Sequence, residues 1–187
     1  LTLDAYEPFN HVMAGWLALQ TRQHERAMAA FDNALALNPY SSRTLISAAE
    51  AKAFASDLTS ARTLATRAME LSGRCAPAYF HGYLATIASL SGDLDECIRR
   101  LLMAPMNPRT LLLAIAAHHE RNEPTLAAAA KVNLEQELRR SEPECHISQD
   151  SLSRWVVTSN MTRDTAARRR MFGSLETAGV PVSQEVG

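Results

Sequence analysis

The sequence predicts an all-α protein, an α–α superhelix of stacked helical hairpins. Hydrophobic residues make up 47% of the 187-residue chain and charged residues 21%, which is typical of a folded protein. Only 7 glycines and 8 prolines interrupt long stretches rich in Ala and Leu, and these stretches favour helix. One helical pattern recurs at intervals of 30 to 36 residues. No alternating run of Val, Ile and Thr predicts a sheet.

The recurring pattern is clearest in HERAMAAFDNALALNP, residues 24–39, where the aromatic Phe31 lies between the small residues Ala27 and Ala34. Two helices approach to about 8–10 Å only where the contacting residues are small, and a larger side chain nearby fills the groove. We therefore interpret this segment as the second helix of a hairpin. The equivalent positions in later copies are Ala61, Ala65 and Ala68, then Cys97, Leu101 and Ala104, and finally Ala127, Lys131 and Leu134.

Each copy follows another predicted helix, so the repeating unit is helix, turn, helix and a stop signal. Pro39 and Pro108 are expected to end second helices, Gly73 can supply a left-handed cap, and Pro124 fits a first helical turn. The predicted first helices span residues 11–20, 43–54, 77–90 and 109–120.

These units divide the chain into a helical repeat array, residues 1–141, and C-terminal capping helices with a tail, residues 142–187. In the second part, Asp150 or Ser151 can cap a helix that runs through Val157, and residues 164–179 form another helix. A terminal helix of atypical composition covers the last apolar face of a stacked array. The approximate repeats are 8–41, 42–75, 76–108 and 109–141.

Two further features accompany the pattern of an aromatic residue between two small ones. They are Gly15 in the first predicted helix and the turn GDLDECI, residues 92–98. Together these residues resemble the tetratricopeptide repeat over residues 8–141. The sequence departs from the family pattern where Ala65 replaces a large groove-filling residue. The resemblance implies a scaffold that binds partners rather than a catalyst.

The closing segment FGSLETAGVP, residues 172–181, resembles the end of bacterial multidomain regulators in which such repeats follow an adenylate cyclase or winged-helix DNA-binding domain. That resemblance implies the regulatory part of a signalling or transcription protein. Because the chain begins with Leu1 rather than Met, we expect it to belong to a longer polypeptide. Three cysteines at wide spacings indicate reduced thiols and therefore a cytoplasmic location.

The resemblance also implies a concave groove, lined by first-helix positions, that binds a partner. Its aromatic and aliphatic composition suits an apolar peptide or helix, from another protein or from another domain of the same polypeptide. Two alternatives stay open: the same residues pack against a neighbouring domain or against the protein's own terminal helix. A homodimer also stays open. The implied groove residues are Phe9, Val12, Trp16, Arg43, Ile46, Glu50, Tyr79, Arg109 and Leu112.

The sequence contains no glycine-rich phosphate loop, nucleophile elbow, HExxH motif or paired CxxC motif, so we expect neither catalysis nor a cofactor. His118 and His119 are adjacent and diverge by about 100° on a helix, so they cannot share a metal ion. We therefore expect no metal site. A helical enzyme without a recognisable motif remains an alternative.

Five arginines form one basic cluster between Arg154 and Arg170, and a nucleic-acid-contacting module is a second alternative. The formal net charge of −1 and the few interleaved aromatic residues disfavour nucleic acid as a partner. The longest apolar run, residues 111–117, is too short to cross a membrane. The cluster consists of Arg154, Arg163, Arg168, Arg169 and Arg170.

Overall fold

The computed structural model describes residues 6–141, residue 156 and residues 161–182. This part of the chain is all-helical and contains no strand, so the predicted all-α class is confirmed. Nine α-helices lie within it. They are α1 (Pro8–Gln20), α2 (His24–Leu37), α3 (Ser42–Phe54), α4 (Leu58–Ser72), α5 (Tyr79–Leu90), α6 (Leu94–Leu101), α7 (Pro108–Glu120), α8 (Pro124–Ser141) and α9 (Thr165–Thr177).

The first eight helices form four consecutive hairpins, α1–α2 through α7–α8, and the first helix of each hairpin also contacts the first helix of the next. Each hairpin turn contains one residue with φ between 60° and 78°. These residues are separated by 34, 36 and 30 residues, the same intervals as the sequence repeat. The sequence repeat and the positive-φ turn residues therefore give the same alignment of the four units. The turn residues are Arg22, Ser56, Gly92 and Asn122.

Small residues bring the two helices of hairpin 1 together, as the pattern predicts. Ala27, Phe31 and Ala34 are fully buried. The Phe31 ring lies over Gly15, where an added Cβ would be only 2.6 Å from Phe31 Cε2. The Trp16 ring meets Phe31 edge-on, with the ring centroids 5.5 Å apart. The aromatic residue therefore fills the space that glycine and the alanines leave.

Helix ends follow local signals in the sequence. Gly73, with φ +54°, ends α4, and Pro124 begins α8. The carboxylate of Asp93, one of the acidic residues at the start of α6, accepts a hydrogen bond of 3.0 Å from Glu96 N. The other side chains that accept N-cap hydrogen bonds are Glu7, Ser41, Asp57, Asn107 and Asp164.

The end of the third hairpin differs from the prediction. Pro108 was expected to end a helix, but it is the first residue of α7, and α6 already ends at Leu101. Pro105 explains the difference, because proline cannot donate a helical hydrogen bond and disfavours helical backbone in the residue before it. Ala104, expected at the third small position of a second helix, therefore lies outside α6.

The predicted terminal helix is α9, which Asp164 caps and which ends two residues before Gly179. It packs on α7, and its Leu175 is buried against Leu112 and Leu134 of the last hairpin. The other expected C-terminal helix, up to Val157, lies outside the described residues except for Val156, which is helical and buried.

The residues just before α9 reach back to the first two hairpins. The backbone N–H of Arg163 donates to the carbonyl of Phe54 at 2.6 Å. The Arg163 side chain pairs with Glu25 at 2.9 Å, and Met161 is buried in a core formed by α1, α2 and α3. We name residues 161–182 the terminal segment. It covers the last hairpin and also contacts hairpins 1 and 2, which a simple end cap does not do.

Candidate functional site

An open cavity of about 780 Å³ lies between α1, α3 and the start of α5. The helices place it there because α1 begins at Pro8 and α3 at Ser42, so the first turns of both helices stand at the same end of neighbouring hairpins. The lining combines aromatic and aliphatic surface with a few polar groups. Five of the nine predicted groove residues line it: Phe9, Val12, Trp16, Arg43 and Tyr79.

The other four predicted residues do not line the cavity. Ile46 and Leu112 are fully buried in the hydrophobic core and have no surface to offer a partner. They are core residues because α3 and α7 pack against neighbouring helices on more than one side. On α3, Arg43 is exposed, whereas Ile46, three positions later, faces the interior. Glu50 and Arg109 form an ion pair away from the cavity.

A row of aromatic side chains connects the cavity to the interior. The ring centroids of Trp16 and Tyr83 are 6.0 Å apart, and those of Tyr83 and Tyr79 are 5.8 Å apart. Tyr79 in turn meets Phe80 edge-on at 4.9 Å. Aromatic pairs at these distances stabilise one another beyond simple burial, so Trp16 and Tyr79 are held in place from behind. The cavity wall is therefore preorganised for an apolar group.

Met13, Thr44 and Ser47 also line the cavity, although they are not among the residues that the sequence predicts for the groove. Met13 and Ser47 occupy equivalent positions in α1 and α3, 34 residues apart, so the repeat spacing was a signal for both. Glu7 and Arg43 supply the charged groups of the lining. Arg43 is exposed and forms no ion pair within the described part of the chain. Its charge is therefore available to a bound partner.

The ion pair between Glu50 and Arg109 joins hairpins 2 and 4. Glu50 is fully buried, and Arg109 donates a short hydrogen bond to its Oε1. The Arg109 guanidinium lies between two rings, 5.8 Å from the Phe54 centroid and 5.6 Å from that of Tyr83. Burial raises the pKa of the Glu50 carboxyl, and the nearby Arg109 charge opposes that shift. Glu50 is fully buried and the Arg109 side chain is 26% exposed, so the pair suits a structural link between repeats.

No protein-family model matches the chain, and no curated protein matches it.

Other chemically active side chains are dispersed in the described residues. Burial raises the pKa of Cys97 to about 12, so its thiol stays protonated and is a poor nucleophile. His118 Nδ1 lies 2.7 Å from Glu123 Oε2 in a local contact. No group of three metal-ligating side chains occurs in the part of the chain that the structure describes. None of the described helices is both long and apolar enough to span a membrane.

Two of the four described arginines of the cluster hold the terminal segment against other helices. Arg163 pairs with Glu25, and Arg170 pairs with Glu120 at 3.2 Å. Both contacts bind the terminal segment to other helices and neutralise part of the positive charge. Arg154, the fifth arginine of the predicted cluster, lies outside the described residues.

Proposed function

We propose that this chain is a non-enzymatic binding module of the tetratricopeptide type, which accommodates an apolar segment of a partner in the cavity between α1, α3 and α5. One observation carries the proposal. Five residues selected separately in three repeats, from Phe9 to Tyr79, line the same cavity of about 780 Å³. Concave sites of this size with apolar walls and a few polar groups are typical of binding sites.

The lining indicates what kind of segment fits. A large apolar side chain can pack against Phe9, Val12 and Trp16, the aromatic and aliphatic wall. Arg43 stands beside that wall without an ion-pair partner in the described residues, so an acidic residue next to the apolar anchor would complement it. The partner is a short peptide or helix with one apolar anchor and a neighbouring Asp or Glu.

We place this module in a bacterial signalling or transcription regulator with a cytoplasmic location, where the segment comes from another protein or from another domain of the same polypeptide. The support is the resemblance of residues 172–181 to the end of such regulators. A binding module suits this setting because it can report the presence of a partner to an attached catalytic or DNA-binding domain.

The test is a selection of peptides from a random library displayed on phage, using the purified chain as bait. We expect enriched sequences to share an apolar anchor flanked by an acidic residue. Selected peptides, synthesised and titrated into a Trp155→Phe variant, should change the fluorescence of Trp16, which would then be the only tryptophan. The titration reports binding at the cavity rather than elsewhere.

Two exposed lining residues and one remote residue provide the matched variants. Phe9→Ser should weaken binding of selected peptides at least tenfold, and Arg43→Glu should weaken binding of acidic peptides specifically. Leu126→Ser, an equally exposed apolar position on α8, should leave binding unchanged. Selected peptides that bind both lining variants as tightly as the parent would show that the cavity is not the binding site.

A further inference from the structure

His24, the first residue of α2, is a buried ionisable residue that takes no part in the cavity or in the ion pair between Glu50 and Arg109. It is only 8% exposed. Its Nδ1 atom is buried and has no hydrogen-bond partner in the part of the chain that the structure describes. A proton on that atom would be a buried donor without an acceptor, so this site favours the neutral ring.

Three charged side chains face His24. Arg22 and Glu25 come from its own hairpin, and Arg163 comes from the terminal segment. Glu25 pairs with Arg163 at 2.9 Å, so Arg22 leaves an excess of positive charge, and Arg168 of α9 adds positive charge near Arg22. The position at the start of α2 acts in the same direction, because the amino end of a helix disfavours a cation.

The same two arginines, Arg22 and Arg163, attach the terminal segment to hairpins 1 and 2. The side chain of Arg22 donates to the Thr162 carbonyl at 3.5 Å, and the backbone N–H of Arg163 donates to the Phe54 carbonyl at 2.6 Å. We name residues 161–163 the latch. A further positive charge at this place would act directly on the contacts that hold the latch closed.

The direction of the pH effect follows from the surroundings of the ring. Burial, and then the charges of Arg163 and Arg22, lower the pKa of His24 while the latch is closed, and Glu25 opposes part of that shift. In an open latch, water reaches the ring and its pKa returns to about 6.5. The closed state therefore binds fewer protons than the open state, and a fall in pH through about 6.5 favours opening.

Glu25 does not titrate in the same range. A hydrogen bond with its own backbone N–H and the neighbouring Arg163 charge lower the pKa of the Glu25 carboxyl. Its carboxylate therefore stays ionised at mildly acidic pH, and the ion pair with Arg163 is kept. His24 is the group that changes charge beside the latch in this range.

We propose that His24 is a proton sensor, which releases the latch from hairpins 1 and 2 at mildly acidic pH while the hairpins stay folded. Release withdraws Met161 from the core formed by α1, α2 and α3. The rest of the terminal segment is anchored separately. Leu175 is buried against the last hairpin, and Lys131 of α8 donates to the Gly179 carbonyl at 2.7 Å.

The test is amide hydrogen exchange of the purified chain at about pH 7 and about pH 5.5, followed by NMR and expressed as protection factors. We expect the protection factor of the Arg163 amide to fall about three- to eightfold, where eight is the limit that an open-state pKa of about 6.5 allows. The Asp93 amide, which donates to the Ala88 carbonyl at 2.9 Å in hairpin 3, should keep its protection.

Two histidine variants provide the comparison. His24→Gln keeps a polar side chain but cannot be protonated, so the Arg163 amide should be equally protected at both pH values. His81→Gln is the matched control, because burial and the Arg100 charge also lower the pKa of His81, which lies on α5. That variant should respond to acid as the parent does.

NMR titration of the His24 ring in the parent gives a check that needs no variant. Its midpoint should lie below about 6.5, and a midpoint at or above that value would overturn the proposal. So would a parent whose Arg163 amide is equally protected at both pH values, or a His24→Gln variant that loses as much protection as the parent. An equal loss at Asp93 would show unfolding of the array instead of release of the latch. These measurements use no partner, so their outcome is independent of peptide binding in the cavity.

Discussion

At the scale of single residues, the buried carboxylate of Glu50 depends most on one neighbour. Its burial raises its pKa, and Arg109 is the charged group that opposes the shift. Removing one member of a buried ion pair is costly because the remaining charge has no compensation, whereas an apolar pair of similar size can be tolerated. The pair also joins hairpins 2 and 4, so its loss should affect global stability.

We expect Arg109→Leu to lower the free energy of unfolding by about 3–5 kcal/mol at neutral pH. The pKa of Glu50 then rises further, because the opposing charge is gone. A carboxyl group whose pKa is raised by folding favours the folded state below its unfolded pKa, and this contribution is lost as pH rises through the folded pKa. The deficit relative to the parent should therefore shrink as the pH falls from about 7.5 to about 5.

Urea denaturation at several pH values measures both effects. The double variant Glu50→Leu with Arg109→Leu should recover most of the stability and remove the pH dependence of the deficit. A deficit in Arg109→Leu that is constant across this pH range would contradict the assignment of Glu50 as the uncompensated charge.

Gly15 offers a second prediction at this scale. Gly15→Ala would place a Cβ 2.6 Å from the buried Phe31 ring, and we expect a loss of about 1–3 kcal/mol from overpacking. Gly173→Ala in α9 meets no atom within 4 Å and should stabilise the chain by about 0.5–1 kcal/mol, since alanine favours helix. Thermal unfolding of the two variants measures this contrast. Similar shifts in the same direction would argue against close packing at Gly15.

At the scale of elements, the four hairpin turns use one backbone geometry with different residues. Each turn has one residue with positive φ, yet only the third turn supplies glycine, at Gly92. Positive φ is costly for residues with a Cβ and is readily adopted by glycine. Ser56 and Arg22 therefore adopt a backbone conformation that is unfavourable for them. The Arg22 side chain donates a hydrogen bond to the Thr162 carbonyl at 3.5 Å.

We expect Ser56→Gly to raise the free energy of unfolding by about 0.5–1 kcal/mol, because it relieves positive φ at an exposed turn. Gly92→Ala should lower it by about 1–2 kcal/mol for the same reason, since the added methyl meets no atom within 4 Å. Chemical denaturation of the pair provides the comparison. If the two turns share one geometry, the two substitutions must change the free energy of unfolding in opposite directions.

At the scale of the whole molecule, the terminal segment connects the two ends of the hairpin series. Met161 is buried in a core formed by α1, α2 and α3, and Leu175 is buried in the core of hairpin 4. Arg163 and Arg170 add ion pairs near each end. Stacked repeats normally interact only with their neighbours, so this segment adds contacts between units that are distant in the series.

We expect Met161→Ala and Leu175→Ala each to cost about 2–5 kcal/mol, because each leaves a cavity in a packed core. If the segment couples the two ends, either substitution should increase amide hydrogen exchange in both α1 and α7 and keep one cooperative unfolding transition. Leu126→Ala, at an exposed leucine, should change neither the free energy of unfolding nor the amide exchange of α1 and α7. Faster exchange at only the nearer end would show that the ends unfold independently.

The sequence by itself determined the helical class, the hairpin turns and most helix ends. These depend on neighbours along the chain: small residues at repeat positions, N-cap side chains and proline. The error at α6 arose from the same kind of local signal, since Pro105 ends the helix early and leaves Pro108 to begin the next one. Residues close in sequence therefore explain even the helix boundary that was predicted wrongly, the end of α6.

Only the tertiary structure decided which first-helix residues face the cavity. An aliphatic residue such as Ile46 fits a groove or a core equally well by type, and the packing of α3 between its neighbours buried it. Glu50 and Arg109 stand 59 positions apart, and their pairing follows from how the hairpins stack. The return of the terminal segment to Phe54 likewise spans more than a hundred residues. Such contacts depend on the relative rotation of whole helices, which residue spacing within one helix does not determine.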